Sequence, residues 1–277
     1  MLQGFILRVL PWVPVRWRQA IIGSKDDPSR VATFLHNLLN RRPPSPSQVF
    51  TCRGALKGYR MQTDWNRFRS FVYGTWEPEV VRVVVSEVKP GMTVLDIGAH
   101  IGYYTLLFAK CVGPLGRVIS FEPLPENFTV LQKNVELNRI QHVHTFAEAV
   151  FSRNGDLAID HAEAGCNSGE ASVIHLRGVE QIRVPAVTLD SVSSRAGSRL
   201  DFVKMDVEGA EFDVLLGAKE TVARFRPKML IELHHFDGNV AGHPVPQLLA
   251  SWDYGIQWID RAVMTSHIIA LPVTEAA

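Results

Sequence analysis

From Thr93 onward the chain alternates short, almost wholly apolar runs with stretches of helical period, and this alternation limits the folds open to it. The strand-like runs are "TVLDIG", "GRVISFEP", "HVHTFAEAV", "LDFVKMDV" and "KMLIELHH", with helical stretches such as Tyr103 to Val112 and Glu126 to Asn138 between them. Strands apolar on both faces belong in a parallel sheet covered on both sides by helices. The tail, "GIQWID" then "SHIIALPV", adds two strands whose natural arrangement is a closing hairpin. The expected fold is therefore α/β: a Rossmann-like, mostly parallel sheet of about seven strands with an antiparallel closing strand. One stretch breaks the rhythm. Residues 152–192 carry "DLAIDH", "ASVIHL" and "QIRVPAVTLDSV", whose alternation reads as a β insertion after the third strand, part of a lid, rather than a crossover helix.

The first 90 residues read differently. "NRRPPSPSQ" is a proline and serine cluster expected to be an exposed linker, with a helical pattern before it around Val31 to Leu39. After it "GALKGYRMQT" reads as a short hairpin and "EPEVVRVVVSEV" as a helix leading into the core. The expected division is an N-terminal extension over 1–90 and a ligand-binding domain over 91–277. The opening "MLQGFILRVLPWVPVRWRQAII" mixes apolar and aromatic residues with Arg8, Arg16 and Arg18, a composition open to weak peripheral contact with an anionic membrane. Pro11 and Pro14 interrupt any long helix there, and packing on its own domain or a neighbouring subunit is the expectation. No apolar run reaches the roughly 18 to 20 residues of a membrane-spanning helix.

With 29 Lys and Arg against 28 Asp and Glu, nothing steers the whole molecule to a polyanion, so nucleic acid is not the expected partner. Cys52, Cys111 and Cys166 show no disulfide or zinc spacing, which suits a reducing, cytoplasmic setting.

The chemistry gathers at "VLDIGAHIGYYT". In an open α/β sheet the turn after the first strand is where backbone comes closest to a ligand. Gly98 and Gly102 lie in it, but Asp96 stands where a dinucleotide fold needs its first glycine, and an acid there repels pyrophosphate. The turn suits a ligand with a cationic amino group or sulfonium and no phosphate. Glu122 closes the second strand, where an acid accepts both hydroxyl hydrogens of a ribose. Together the two acids describe a phosphate-free nucleoside such as S-adenosyl-L-methionine. The competing reading makes both of them capping or strand-end acids.

These stretches, with "ISFEPLPENFTVLQKNVELN", "NSG" at 167–169, "VTLDS" at 187–191, "DFVKMDVEGAEFDVLLGA" and "MLIELHH", resemble the FkbM-type family of class I S-adenosylmethionine-dependent methyltransferases over roughly residues 70–260. The resemblance implies that Asp96, Gly98, Gly102 and Glu122 bind the cofactor, with Asn127 and the Ala149 and Val150 turn near ribose and adenine. His100 stands where such motifs commonly carry Asn, and it is counted with the cofactor residues as a donor that also titrates near neutral pH. The acceptor implied is a hydroxyl on a small molecule such as a sugar or natural product.

Transfer to an alcohol needs a base at a strand end facing the methyl. Asp206 ends the fourth strand and is the first candidate; Glu232, ending the fifth, and His234 follow. Glu208 and Glu211 read as capping or solvated acids. Asp206, Glu232 and His234 together would make a chemically reasonable magnesium site, a metal that some relatives use, yet spacing across two strands cannot decide it and no metal ligand is assigned. No cysteine follows a proline, as a cytosine-C5 enzyme requires, and "DVEG" replaces the "PPY" signature of amino-directed nucleic acid enzymes. A nicotinamide-dependent oxidoreductase and a non-catalytic nucleoside-binding module are the remaining alternatives. The aromatics Trp65, Phe68, Phe71, Tyr73 and Trp76 are read as core before acceptor-stacking surface, and the oligomeric state is not legible.

Overall fold

The computed structural model describes residues 48–161, 180–235, 240–261 and 264–273. The helical pattern at Val31 to Leu39, the linker over 40–48 except its last residue, the apolar opening, the "NSG" stretch and "ASVIHL" lie outside the described residues, and Gln48 is already strand. The chain divides into two compact units, Met1–Val81 and Arg82–Ala277.

In the first unit β1 (Gln48–Thr51) pairs antiparallel with β2 (Arg60–Thr63), with Phe50 opposite Met61. The hairpin expected in "GALKGYRMQT" has "QVFT" as its first arm, and the glycine-bearing stretch is the connection. Helix α1 (Trp65–Tyr73) starts at Asp64, whose carboxylate accepts the Asn66 N–H at 2.8 Å. Its aromatics pack on one another: Phe50 with Trp65, Trp65 with Tyr73 and Phe71 with Trp76, at centroid distances of 5.0, 5.4 and 4.9 Å. Helix α2 (Pro78–Glu87) runs across the boundary between the units.

The second unit is built on a seven-stranded sheet of order β11-β12-β10-β9-β3-β4-β5. Its strands are β3 (Thr93–Ile97), β4 (Arg117–Phe121), β5 (Val143–Phe146), β9 (Phe202–Met205), β10 (Lys228–His234), β11 (Tyr254–Trp258) and β12 (Thr265–Pro272). β3 runs parallel to β4 and β9, while β12 lies antiparallel to both β10 and β11. This is the expected sheet with its closing hairpin. The apolar runs are continuous because both faces are covered: Leu95, Ile97, Phe121, Val203, Met205 and Ile231 share one core, and Val94, Val118 and Phe202, which alternate with such residues, are buried as well. Helices α3 (Tyr103–Val112) and α4 (Pro125–Leu137) follow β3 and β4.

Between β5 and β9 the described residues form the expected β insertion: β6 (Ala149–Val150) parallel to β8 (Glu180–Val187), and β7 (Gly155–His161) antiparallel to it. Two details differ from the sequence reading. "HVHTFAEAV" is two strands in different sheets, since β5 ends at Phe146 and β6 begins at Ala149. "VTLDSV" is not strand beyond Val187: the Thr188 hydroxyl accepts the Ser191 N–H at 3.1 Å and starts α5 (Leu189–Val192). Asp190 then accepts the N–H of Thr221 at 2.7 Å and so caps α7 (Lys219–Phe225), which follows α6 (Glu211–Leu216). Helix α8 (Pro244–Ser251) lies between β10 and β11. Among the described residues no helix is long and apolar enough to cross a membrane.

The strand order reverses at β3 and β9, whose chain connections leave in opposite directions. That divergence opens a crevice at the carboxyl ends of the central strands.

Candidate active site

The turn after β3 is held by its neighbours on both sides. Gly98 and Ala99 donate their N–H groups to the Phe121 carbonyl at 3.0 and 2.9 Å, and Asp206 donates its N–H to the Ile97 carbonyl at 3.0 Å. Gly98 has φ +79°, and a Cβ there would lie 1.7 Å from the Asp206 carbonyl oxygen. Only glycine permits this approach. His100 is left-handed too, with φ +50°. Asn, Asp and His are enriched among the non-glycine residues that adopt this conformation, which accounts for a position where related motifs carry Asn. The contribution of His100 to Glu122 is its backbone: that N–H reaches Glu122 Oε2 at 2.7 Å.

Glu122 Oε1 accepts the Leu124 N–H at 3.0 Å, and Asn127 Nδ2 stands 3.5 Å from the same oxygen. Burial pushes the Glu122 carboxyl up to about 7, against the lowering effect of those hydrogen bonds. Asn127 is buried on α4, and its Oδ1 has no hydrogen-bond partner among the described residues. His100, Glu122 and Asn127 are thus brought together, whereas Ala149 and Val150 are buried in β6 with their backbone paired to β8.

Asp96 is fully buried beneath the turn rather than exposed in it. Its Oδ2 accepts the Thr105 hydroxyl at 2.6 Å, and that hydroxyl lies 3.0 Å from Ser120 Oγ. Burial raises the Asp96 carboxyl, and the Lys204 ammonium works against the rise. Asp96 Oδ1 has no hydrogen-bond partner among the described residues.

At the ends of β9 and β10 the carboxylates meet cations. Lys204 Nζ bonds Asp206 Oδ2 at 3.1 Å. Asp206 does not cap the following helix, and Glu232 pairs with neither Lys204 nor Lys228, which instead bonds Glu87 at 2.7 Å. Glu232 lies 3.3 Å from His267 Nε2, its opposite number across β10 and β12, and His267 Nδ1 meets Asp260 at 2.9 Å.

His234 is engaged at both ring nitrogens, Nδ1 with Glu211 at 2.7 Å and Nε2 with Glu208 at 3.2 Å. Burial alone would lower its pKa, but those two hydrogen bonds with the Glu211 and Asp206 charges outweigh it and carry it up to about 11. His234 is therefore an imidazolium at neutral pH. Glu211 is 1% exposed and its Oε1 accepts the Gly209 N–H at 2.8 Å, as a capping acid does, while Glu208, at φ +51°, is 32% exposed. His235 points away from this cluster to Ser266 Oγ at 3.1 Å, as strand alternation requires.

Asp206, Glu232 and His234 each place one ligand-type atom within 4.8 Å of the others. A metal there would require His234 to give up the Nε2 proton that faces Glu208, whereas Nδ1 on Glu211 is the carboxylate contact that metal-bound histidines keep.

Lys204, His267 and Asp260 belong to the site without having been singled out in the sequence, and Glu208 and Glu211 belong to it beyond the capping or solvated role that the sequence suggests. One signal was available for Lys204, a charge inside the apolar run "DFVKM". The others become neighbours only through strand order.

The seven-stranded order with one antiparallel strand, acids at the ends of β4, β9 and β10, and a glycine turn after β3 together define a Rossmann-like class I methyltransferase fold. The model of the methyltransferase FkbM domain matches residues 96–256, more than half of the chain, and the protein belongs to that family. The 2-O-methyltransferase NoeI of Sinorhizobium fredii is 29% identical over 180 residues, covering 58% of this chain and 73% of that protein. The 31-O-demethyl-FK506 methyltransferase FkbM of Streptomyces tacrolimicus is 27% identical over 180 residues, 55% of this chain and 69% of its own. Protein-L-isoaspartate O-methyltransferase 1 of Arabidopsis thaliana is 31% identical over 123 residues, and the match spans about half of it, 49%.

Proposed function

We propose that this methyltransferase uses S-adenosyl-L-methionine to methylate a hydroxyl on a small molecule such as a sugar or natural product. The observation that carries this reading is Glu122: a buried carboxylate fixed by two backbone N–H groups at the end of β4, beside the left-handed turn of 98–102. Glu122 accepts the two ribose hydroxyls, and Asn127 Oδ1 and Asp96 Oδ1 are buried acceptors suited to further hydroxyl or ammonium donors. When bound, S-adenosylmethionine supplies the methyl group as an electrophile on a sulfonium. Gly98, His100 and Gly102 bring backbone close to it, and Ala149 and Val150 line its adenine side. The names of NoeI, a 2-O-methyltransferase, and FkbM, a 31-O-demethyl-FK506 methyltransferase, support the choice of oxygen.

Asp206 takes the acceptor hydroxyl proton as oxygen bonds carbon, with Glu232 as its second. Lys204, His234 and His267 outweigh the effect of burial and hold the Asp206 carboxyl below the usual range, so it stands ionised and ready to accept. His234, charged on both sides, does not act as base; it fixes Glu208 and Glu211 around the base. No metal is part of the reading. A positioned base contributes about 10² to 10⁴ in rate and alignment about 7 to 11 kcal/mol. In this reading residues 91–277 form the cofactor-binding domain and 1–90 an extension, with 152–192 shaping the acceptor side. The partner is a small molecule rather than nucleic acid, in a cytoplasmic setting.

The test is isothermal titration with S-adenosylmethionine and, separately, NADH, repeated on Asp96→Ala and Glu122→Ala. Saturable S-adenosylmethionine binding weakened tenfold or more by both changes, about 1.4 kcal/mol, supports the cofactor. Methyl-labelled cofactor with a panel of methyl glycosides then reads transfer. Binding of NADH alone, or binding indifferent to both acids, overturns the proposal.

A further inference from the structure

Two opposite charges, Asp96 and Lys204, face each other across the middle of the sheet, where an apolar core has no use for them. Strand register sets Ser120, Asp96, Lys204 and Leu230 opposite one another on β4, β3, β9 and β10. Lys204 sits between Val203 and Met205, each 1% exposed, and its own side chain is 5% exposed. An ammonium withdrawn from water this far costs several kcal/mol unless it is well paired. Its pairing is specific: Asp206 Oδ2 at 3.1 Å, two residues along the same strand, and the face of the Tyr104 ring at 4.8 Å from the centroid. Asp206, at 28% exposure, is the more open member of the pair. The buried cation therefore stands between a fully buried acid under the cofactor turn and a half-open acid on the acceptor side.

We propose that Lys204 is a positioning residue of the transfer reaction, its ammonium fixing the Asp206 carboxylate in one orientation and serving Asp206 and Asp96 as a shared counter-charge. This rests on the reading of Asp206 as base. In that step the acceptor O–H bond breaks, its oxygen takes the methyl carbon, the carbon–sulfur bond electrons return to sulfur, and the proton goes to Asp206. Lys204 exchanges no proton. It acts by offsetting the repulsion between Asp206 and the buried Asp96, where like charges otherwise compete for a shared proton. The groups facing Asp206 are Asp96 from β3, Glu122 from the end of β4, Glu232 and His234 from β10, His267 from β12 and Glu208 from its own turn. The charge on His234 is hydrogen-bonded to Glu208 and Glu211, whereas Lys204 is the cation that hydrogen-bonds Asp206 itself.

The experiment is a carboxyl ¹³C NMR titration of the full chain labelled at aspartate Cγ, with Asp206→Asn and Asp96→Asn to assign the two resonances. It is run on the wild type, Lys204→Met, Lys204→Gln and Lys204→Arg. Loss of the charge is expected to move the Asp206 midpoint upward by one pH unit or more, tenfold in proton affinity, and Lys204→Arg to restore most of it. An unmoved midpoint in a folded Met or Gln variant overturns the proposal. Should both variants fail to fold, the wild type still decides: the Lys204 ¹⁵Nζ resonance must shift with the Asp206 midpoint, and indifference to it overturns the proposal equally. Failure of the wild type to bind S-adenosylmethionine strikes the cofactor reading alone, while binding together with an unmoved Asp206 strikes only the role of Lys204.

Discussion

Glu122 is a buried carboxylate that already takes two backbone N–H groups and still holds its proton toward neutrality. Its free-state value near 7 means that a large share is protonated below neutrality. Ribose hydroxyls need the ionised form as acceptor, so binding must expel that proton. The sign follows: S-adenosylmethionine affinity rises with pH, by up to about tenfold per unit between about 5 and 7, and levels off above. Calorimetry in buffers of different ionisation heat checks this, since proton release appears as a buffer-dependent enthalpy below pH 7 and vanishes above it. In Glu122→Gln the dependence is expected to disappear along with most of the affinity. At this scale the sequence was informative where backbone geometry demanded a residue type. Gly98 and the left-handed His100 were legible as a turn, and Glu122 as a strand-end acid. The depth of Asp96 was not, because an acid ending an apolar run reads the same whether its carboxylate faces the crevice or lies beneath it.

The elements are joined by ion pairs as well as by apolar packing. His234 on β10 ties α6 and the turn after β9 through Glu211 and Glu208. Its folded value of about 11 exceeds the ordinary 6.5, so its stabilisation is fully present below pH 6.5 and is lost as pH rises through 11. His234→Leu leaves Glu211 a buried charge without its cation and is expected to cost about 3 to 5 kcal/mol. Urea unfolding at pH 6, 8 and 10 checks both points: wild-type stability declines toward pH 10, and the gap to the variant narrows with it. The elements themselves were legible from periodicity, including the β insertion. The errors fell where local pattern and partner disagree. Phe146 and Ala149 are three residues apart yet pair into different sheets, and Thr188 ends a strand because its hydroxyl is needed as a helix cap.

For the whole molecule, the reversal of strand order at β3 and β9 sets the glycine turn against the base candidate, down to the backbone bond between Asp206 and Ile97. A ligand held there braces both halves of the sheet. S-adenosylmethionine at 100 times its Kd is expected to stabilise the fold by about 2.7 kcal/mol, read as a rise in Tm by scanning calorimetry, with Glu122→Ala giving little rise. The sequence by itself determined the α/β class, the glycine turn and the strand-end places of Glu122, Asp206 and Glu232, because apolar period and glycine demands are local properties that each segment records on its own. Only the tertiary structure decided that Lys204 lies between Asp96 and Asp206, that His234 is an imidazolium held by Glu208 and Glu211, and that His267 faces Glu232. A charge network depends on which strands become neighbours and in what register, and no single segment carries that information.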